Sequence, residues 1–564
     1  MEAGASDLPS IPPSSRDERE PGGGTDPQHG MKETVISLAI AFVFAFVFRG
    51  FVVEPFIIPT GSMAPTLMGA HILARSPNSG TTWAIGPWLY DDSMRTRPAL
   101  DQREVIVPDP STGERLLFNK PPVRAGDRIF VLKYLYAIFE PSRFDVVVFK
   151  NPSEPDVNYI KRLIGLPNEQ VALVDGDIFT RDARSVVPEE LSGPGAWAGD
   201  GWRIRRKPER QQRVLWQEIF SSAHTPLQTE RDGRRWFQSP WVGTSDAPLT
   251  EPLPEGGAVA GKWTIGGSPV YSFDSAAPAT LTWNEAAFPV NDYYPYNQNA
   301  PNYGSAKFPV SDVRMRAGVR PDAPGLSCWV SIVARGHCFQ AEIGPDATAI
   351  RMAPVDERGN VSDQWSTLAS LDRPLALEPG RVTNLELWHA DQALQLWIDG
   401  QRVLSATYDW TPAERFRFAT GRDPETLFAG IGAEPAADPA IYKRPRLAWQ
   451  FKGSPFTLTN VALERDVQYQ PTPMQYSDEP ALATDPRRMP ALKPDQYFVC
   501  GDNSPASMDS RLWTEPDPWI AEIDPDTGVV NRQLLIGKAF FVYWPATHSG
   551  RIPVFDAGRV RFIW

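Results

Sequence analysis

FDVVVFKNPSEPDVNYIKRLIGLPNEQVALVDGDIF, residues 144–179, holds three β-branched runs separated by turn formers. The runs Phe144–Lys150, Tyr159–Leu166 and Glu169–Phe179 each predict a strand, and Asp175-Gly176 predicts a hairpin turn inside the third. One feature breaks the pattern. Lys161 sits inside an otherwise apolar strand, where a lysine ordinarily faces solvent on the polar face.

Beyond residues 144–179, strand patterns recur. From about 263 to 470 the runs CWVSIVA, FQAEIG, TNLELWHA, ALQLWIDG, RVLSATYD and FTLTNVALERDV alternate and are punctuated by turns, which predicts an antiparallel sandwich. The phrase LELWHADQALQLWIDGQRVLSATYD resembles the concanavalin-like (laminin-G-like) sandwich. The stretch 181–262 reads as an irregular connection with one short helix in QQRVLWQEIF. At 564 residues the chain is too long for one core, and 57 Pro with 42 Gly favour short strands and turns over helices. The expected fold is therefore mainly β.

Residues 1–32 are rich in Pro, Gly, Ser and charge and predict a disordered tail. VISLAIAFVFAFVFRGFVV, Val35 to Val53, is nearly all apolar, and a transmembrane helix is expected over 33–53, with Arg49 near its end. A lipid bilayer is thus an expected partner. The formal charge of −12 gives no support to nucleic-acid binding. Three cysteines cannot make a disulfide framework. If Arg335-Gly336 is a two-residue turn, Cys338 faces Val333 and not Cys328, so a disulfide needs another register. No spacing resembles a zinc site, and neither metal nor cofactor is expected.

Three segments carry chemistry together. IIPTGSMAPTL, Ile57 to Leu67, follows the apolar run, and Pro59 and Pro65 fix a non-helical presentation of Ser62. YIKRLIGLP contains Lys161. GDNSPASMDSR, Gly501 to Arg511, is dense in turn formers and hydroxyls. Each alone reads as a loop serine, a solvent lysine and a turn; their occurrence in this order behind an apolar helix changes that.

These segments resemble the boxes of type I (leader) signal peptidases, a Ser/Lys peptidase family, over roughly 35–74, 126–180 and 490–545. The resemblance implies a membrane-tethered, mostly β catalytic domain on the extracytoplasmic side of the cytoplasmic membrane, acting on the signal peptides of preproteins. It makes Ser62 the nucleophile and Lys161 the general base. Thr60, with the Ser62 amide, supplies the oxyanion donors. Ser507 orients the lysine, Asp509 and Arg511 brace that loop, and Tyr159 packs near the lysine. His71 has no part. The chemistry is consistent, because a serine needs a base and a lysine serves only when neutral, which burial promotes.

The chain departs from the family at Phe144, where a glycine is usual, and at Asn168-Glu169, where Gly-Asp is common. The expected organisation is a catalytic domain over 54–180 and 471–564, with extra sequence near 75–125 and the sandwich inserted at 263–470. That sandwich is either structural or a binder of glycans or proteins. Two other readings stay open: a tethered binding protein on a degenerate peptidase frame, and a self-cleaving Ser/Lys regulator.

Overall fold

Two of the three quoted runs pair side by side as antiparallel strands, Val146–Asn151 and Glu154–Gly165, in the computed structural model. The structure describes residues 27–47, 50, 52–87, 104–119, 121–226, 228–231, 233–245, 263–265, 268–298, 307–430, 435–471, 480–545 and 559–563. The third run folds back on itself as Glu169–Val174 against Asp177–Asp182. Its turn residues Asp175 and Gly176 have φ of 48° and 87°, the left-handed pair that this hairpin turn requires.

The first two strands belong to a sheet ordered Val53–Ile57, Arg128–Leu132, Leu535–Trp544, Val146–Asn151, Glu154–Gly165, Gln496–Cys500, Val530–Asn531. Chain-distant strands therefore close the sheet around the Lys161 strand. Apolar side chains cover it on both sides: Ile58, Met63, Ile129 and Val146 contribute to one cluster, Val147, Phe149, Leu163 and Val499 to another. Strands covered on both faces lose the apolar/polar alternation, which is why a lysine here is buried and not solvent-facing.

The two departures from the family pattern have a backbone explanation. Phe144 has φ 71° and Asn168 has φ 64°, a region that glycine enters freely. Asn tolerates it; a buried Phe is strained there.

Two seven-strand antiparallel paths make the sandwich. One runs Trp263–Thr264, Tyr271–Phe273, Phe456–Arg465, Val313–Pro321, Thr383–Ala390, Ala393–Ile398, Gln401–Thr407; the other runs Trp241–Ser245, Ala279–Trp283, Arg446–Lys452, Ser327–Ala334, His337–Ile343, Thr348–Pro354, Ser366–Ser370. A single apolar core that includes Trp241, Trp283, Trp449, Phe339 and Leu458 fills the space between. The sandwich begins earlier than expected. Gln217–Ser221 pairs with Phe456–Arg465 and Trp241–Ser245 with Ala279–Trp283, so the segment read as irregular supplies a strand to each sheet. A short helix does occupy Glu209–Leu215. Cys338 faces Val333, Cys328 faces Ile343, and all three cysteines are free.

The sandwich is keyed to the rest of the chain by buried charge. Arg335, at the tip of the Ser327–Ile343 hairpin, places Nε 2.6 Å from Asp175 Oδ2 at the turn of the Glu169–Asp182 hairpin. Arg415 reaches the same carboxylate at 2.9 Å and Asp177 at 2.9 Å, and Arg335 meets Asp312 at 2.7 Å. Burial alone would raise the Asp312 carboxyl, but Arg335 and Arg415 hold it well below the usual carboxylate range.

At the N-terminus a helix spans Pro27–Val47. The tail expected over 1–32 thus ends earlier, its residues 27–32 being helical, while 1–26 lie outside the described residues. Among the described residues no helix is long and apolar enough to cross a membrane. The expected span over 33–53 is therefore not met among them, and Arg49 lies outside them. The described residues up to Val53 form one compact unit and those from Glu54 onward another.

Removing one partner from a buried charge cluster strands the others. Arg415→Met, which leaves Asp175 and Asp177 short of a cation, is expected to cost about 3–5 kcal/mol. Denaturant unfolding checks this; an unchanged midpoint would refute the keying role.

Candidate active site

The turn that carries Ser62 is anchored by its own backbone and by the sheet beneath it. Ile58 leaves the edge strand and its amide donates to Asp127 O at 2.9 Å, while Ala70 N donates to Pro59 O at 3.1 Å. Asp127 returns the tie through Met68, whose amide donates to Asp127 Oδ2 at 2.8 Å. Met63 and Leu67, both fully buried, pin the turn to the sheet. Between these anchors Ser62 is held with 8% of its surface exposed.

Lys161 arrives from the facing strand, opposite Val147, with 3% of its surface exposed. Its Nζ lies 2.9 Å from Ser62 Oγ and donates to Ile160 O at 3.1 Å. The Tyr159 ring centroid is 4.9 Å from the same nitrogen. Burial pushes the Lys161 ammonium down to about 8, against the opposing pull of Asp509, Cys500 and Asp502. A substantial neutral fraction near pH 8 gives Ser62 a base within hydrogen-bond reach.

The third segment wraps over this dyad. Asn503 N donates to Ser62 O at 3.0 Å, and Asn503 Nδ2 donates to Gly61 O at 2.9 Å. Asp509 accepts from Gly501 N at 2.9 Å and forms a two-pronged pair with Arg511, at 2.9 Å through Nε and 2.8 Å through Nη2. Arg511 also donates to Ser504 Oγ at 2.8 Å and Gln470 O at 3.1 Å. Gly501 is required by close approach: a Cβ there would lie 2.2 Å from Ser507 Oγ and 2.5 Å from Ser62 O.

The structure therefore brings Ser62, Lys161, Tyr159, Asp509 and Arg511 into one site. Ser507 is close by and buried, but its hydroxyl has no hydrogen-bond partner among the described residues, and the bond expected to Lys161 is not formed. Thr60 is exposed at the mouth of the turn. His71 Nδ1 lies 2.8 Å from the Gly69 carbonyl, away from the dyad's hydrogen bonds.

Sequence reading missed two features. Arg162 and Asp502 form a buried pair at 2.7 Å through both prongs, locking the Lys161 strand to the third segment. The signal was available, since an arginine follows Lys161 and an aspartate precedes Asn503. Asn503 is itself hydrogen-bonded by Asn297 of the sandwich, for which no sequence signal existed.

Elsewhere, Asp177, Asp312 and Asp391 bring carboxylate oxygens within 4.8 Å of one another. Arg415, Arg335 and Lys207 already supply cations to this trio, so it reads as an ion-pair cluster. The sandwich tryptophans 241, 283, 388, 397 and 449 are buried, whereas Trp365 is exposed. A cavity beside Trp388, Lys207 and Gln212 measures about 40 Å³, water-sized.

A family profile for "Signal peptidase, peptidase S26" matches residues 31–97, 119–192 and 450–544, which contain the dyad and the third segment. Signal peptidase I of Pseudomonas aeruginosa is 34% identical over 146 residues, 26% of this chain and 34% of that protein. Signal peptidase I of Rickettsia typhi is 30% identical over 154 residues, 27% of this chain and 45% of that protein. The matches thus span less than half the length of these relatives. Carbohydrate-binding module CBM66 from Bacillus subtilis is similar over 40% of this chain and 95% of its own, at 8% identity and a TM-score of 0.22, too low to carry over a fold or a ligand.

A buried lysine whose ordinary value is lowered prefers to be neutral in the fold. Its favourable contribution is present above the unfolded pKa of about 10.5 and is lost as pH falls through about 8. Lys161→Met is accordingly expected to raise stability at pH 6 by up to about 3 kcal/mol, the gain shrinking between pH 8 and 10.5. Denaturant midpoints across pH measure it; equal destabilisation at every pH would contradict the burial argument.

Proposed function

We propose that this chain, related to the signal peptidases through its three matched segments, is a serine endopeptidase that removes signal peptides from preproteins by Ser/Lys dyad catalysis. The observation that carries the reading is the 2.9 Å approach of Lys161 Nζ to Ser62 Oγ inside a buried site. In the reaction Lys161, neutral, takes the Ser62 proton as Oγ attacks the scissile carbonyl, and returns it to the leaving amine. The Ser62 amide and the exposed Thr60 hydroxyl are the donors for the oxyanion, each worth about 3–4 kcal/mol in comparable sites. Water then releases the acyl group by the same proton path.

The substrate is an extended segment with small side chains, laid as an added strand along the site. We place this chemistry at the extracytoplasmic face of the cytoplasmic membrane. The Pro27–Val47 helix supports a lipid partner, because Val35, Leu38, Phe42, Phe44 and Phe46 are all more than half exposed.

Ser62→Ala and Lys161→Ala are each expected to lower cleavage of a preprotein with a small-x-small site by several orders of magnitude, since the two groups act as a unit. Full activity of either purified variant would sink the reading. The rate for the unaltered protein is expected to rise with pH through about 8, as Lys161 loses its proton. A pH-independent kcat/KM between 6 and 9 would refute lysine as the base.

A further inference from the structure

The turn Tyr294–Gln298 belongs to the connection between sandwich strands Ala279–Trp283 and Val313–Pro321, yet it lies against the nucleophile turn. Tyr296 is fully buried there. A Cβ built on Gly61 would lie 1.9 Å from the Tyr296 ring, so the ring rests directly on the residue before Ser62. Its hydroxyl donates to Ala70 O at 2.6 Å, and its carbonyl accepts from Gly86 N at 2.8 Å. One side chain thus touches both ends of the 61–70 turn.

Asn297 does the rest. Its Nδ2 donates to Asn503 Oδ1 at 2.6 Å, and Asn503 Nδ2 donates back to Asn297 Oδ1 at 2.7 Å. Both side chains are buried, Asn297 completely. The second Nδ2 proton of Asn503 goes to Gly61 O, and the Asn503 amide goes to Ser62 O. Asn503 therefore grips the carbonyls on either side of the nucleophile's Cα, and Asn297 fixes the orientation of the amide that does so.

The turn is in turn anchored in the sandwich. Arg465, from the strand Phe456–Arg465, donates to Asp292 O at 3.2 Å and Tyr293 O at 3.0 Å. Gln470 Nε2 bonds Asp292 Oδ2, and its own amide donates to Ser504 Oγ at 2.9 Å. Two routes of hydrogen bonds thus join the sandwich to the loops around Ser62.

We propose that the inserted sandwich is a positioning domain for the nucleophile, acting through Asn297 and Tyr296 on Gly61, Ser62 and Asn503. The proposal rests on the endopeptidase reading for its kinetic consequence but not for its structural one. A truncated Asn297 leaves Asn503 without its amide partner in a buried place, and the grip on Ser62 loosens.

The test uses the full chain. Asn297→Ala, Tyr296→Ala and, as a control, Val330→Ala in the sandwich core are compared with the unaltered protein by hydrogen exchange and by cleavage of a small-x-small peptide. Asn297→Ala is expected to speed exchange at 58–70 and 501–507 and to lower kcat at least tenfold with KM within twofold. Val330→Ala should loosen the sandwich core and leave kcat unchanged. Combining Asn297→Ala with Asn503→Ala should cost little beyond Asn503→Ala alone, the signature of one shared interaction. Tyr296→Phe, keeping the ring, should recover most of the activity lost in Tyr296→Ala. Unaltered exchange at 58–70 in both Asn297→Ala and Tyr296→Ala overturns the proposal, whatever the activity. Absence of cleavage by the unaltered protein would fault the endopeptidase reading alone, because exchange still decides the positioning role.

Discussion

Lys161 is held out of water, with 3% of its surface exposed, in the middle of a sheet. A free lysine holds its proton at about 10.4 and is no base near neutrality. Lys161 is removed from that range because the sheet is covered on both faces where its strand crosses, and because the turn carrying Ser62 and the third segment close over it. Covering it creates further needs. The acids nearby raise the lysine's hold on its proton, so they are kept occupied: Asp509 by Arg511, Asp502 by Arg162. These buried pairs contribute modestly to stability after desolvation, but each gives the loops one arrangement.

Much of this was legible in the residues, and the reasons are physical. Period-two patterning and turn chemistry point to strands from local sequence alone, and Asp175-Gly176 forms the hairpin turn its residues specify. The boxes around Ser62, Lys161 and Gly501 hold their neighbours within a few positions, so a resemblance captures them whole. Pairings made across long stretches of chain were not legible. Asn297 meets Asn503 at a separation of 206 residues, and Arg206 meets Tyr408 at 202. Nothing local marks either. The same limit blurred the sandwich boundary, because Gln217–Ser221 is a short strand whose partner comes more than two hundred residues later. Phe144 was visible only as a missing glycine; its positive φ shows that the backbone keeps the shape while the residue has changed.

The sandwich is more than a passenger in the chain. Arg335 and Arg415 seat it on the hairpin turn at Asp175, and the Tyr294–Gln298 turn seats it on the residues around Ser62. Insertions into a loop usually cost little, because loop-closure entropy grows slowly with length. Here the insertion has also acquired contacts inside the host, and its removal would expose Gly61, Ala70 and Asn503 to solvent.

That reciprocal amide pair has a consequence for how the protein is made. Translation delivers Ser62 first, Lys161 next, Asn297 only after the first half of the chain, and Asn503 near the end. Until the last of these has emerged, Lys161 lacks the cover of the third segment and Ser62 lacks the grip on its backbone. The hydrogen-bonded surround of Ser62 is thus drawn from both halves of the chain and is complete only once residue 503 has been made.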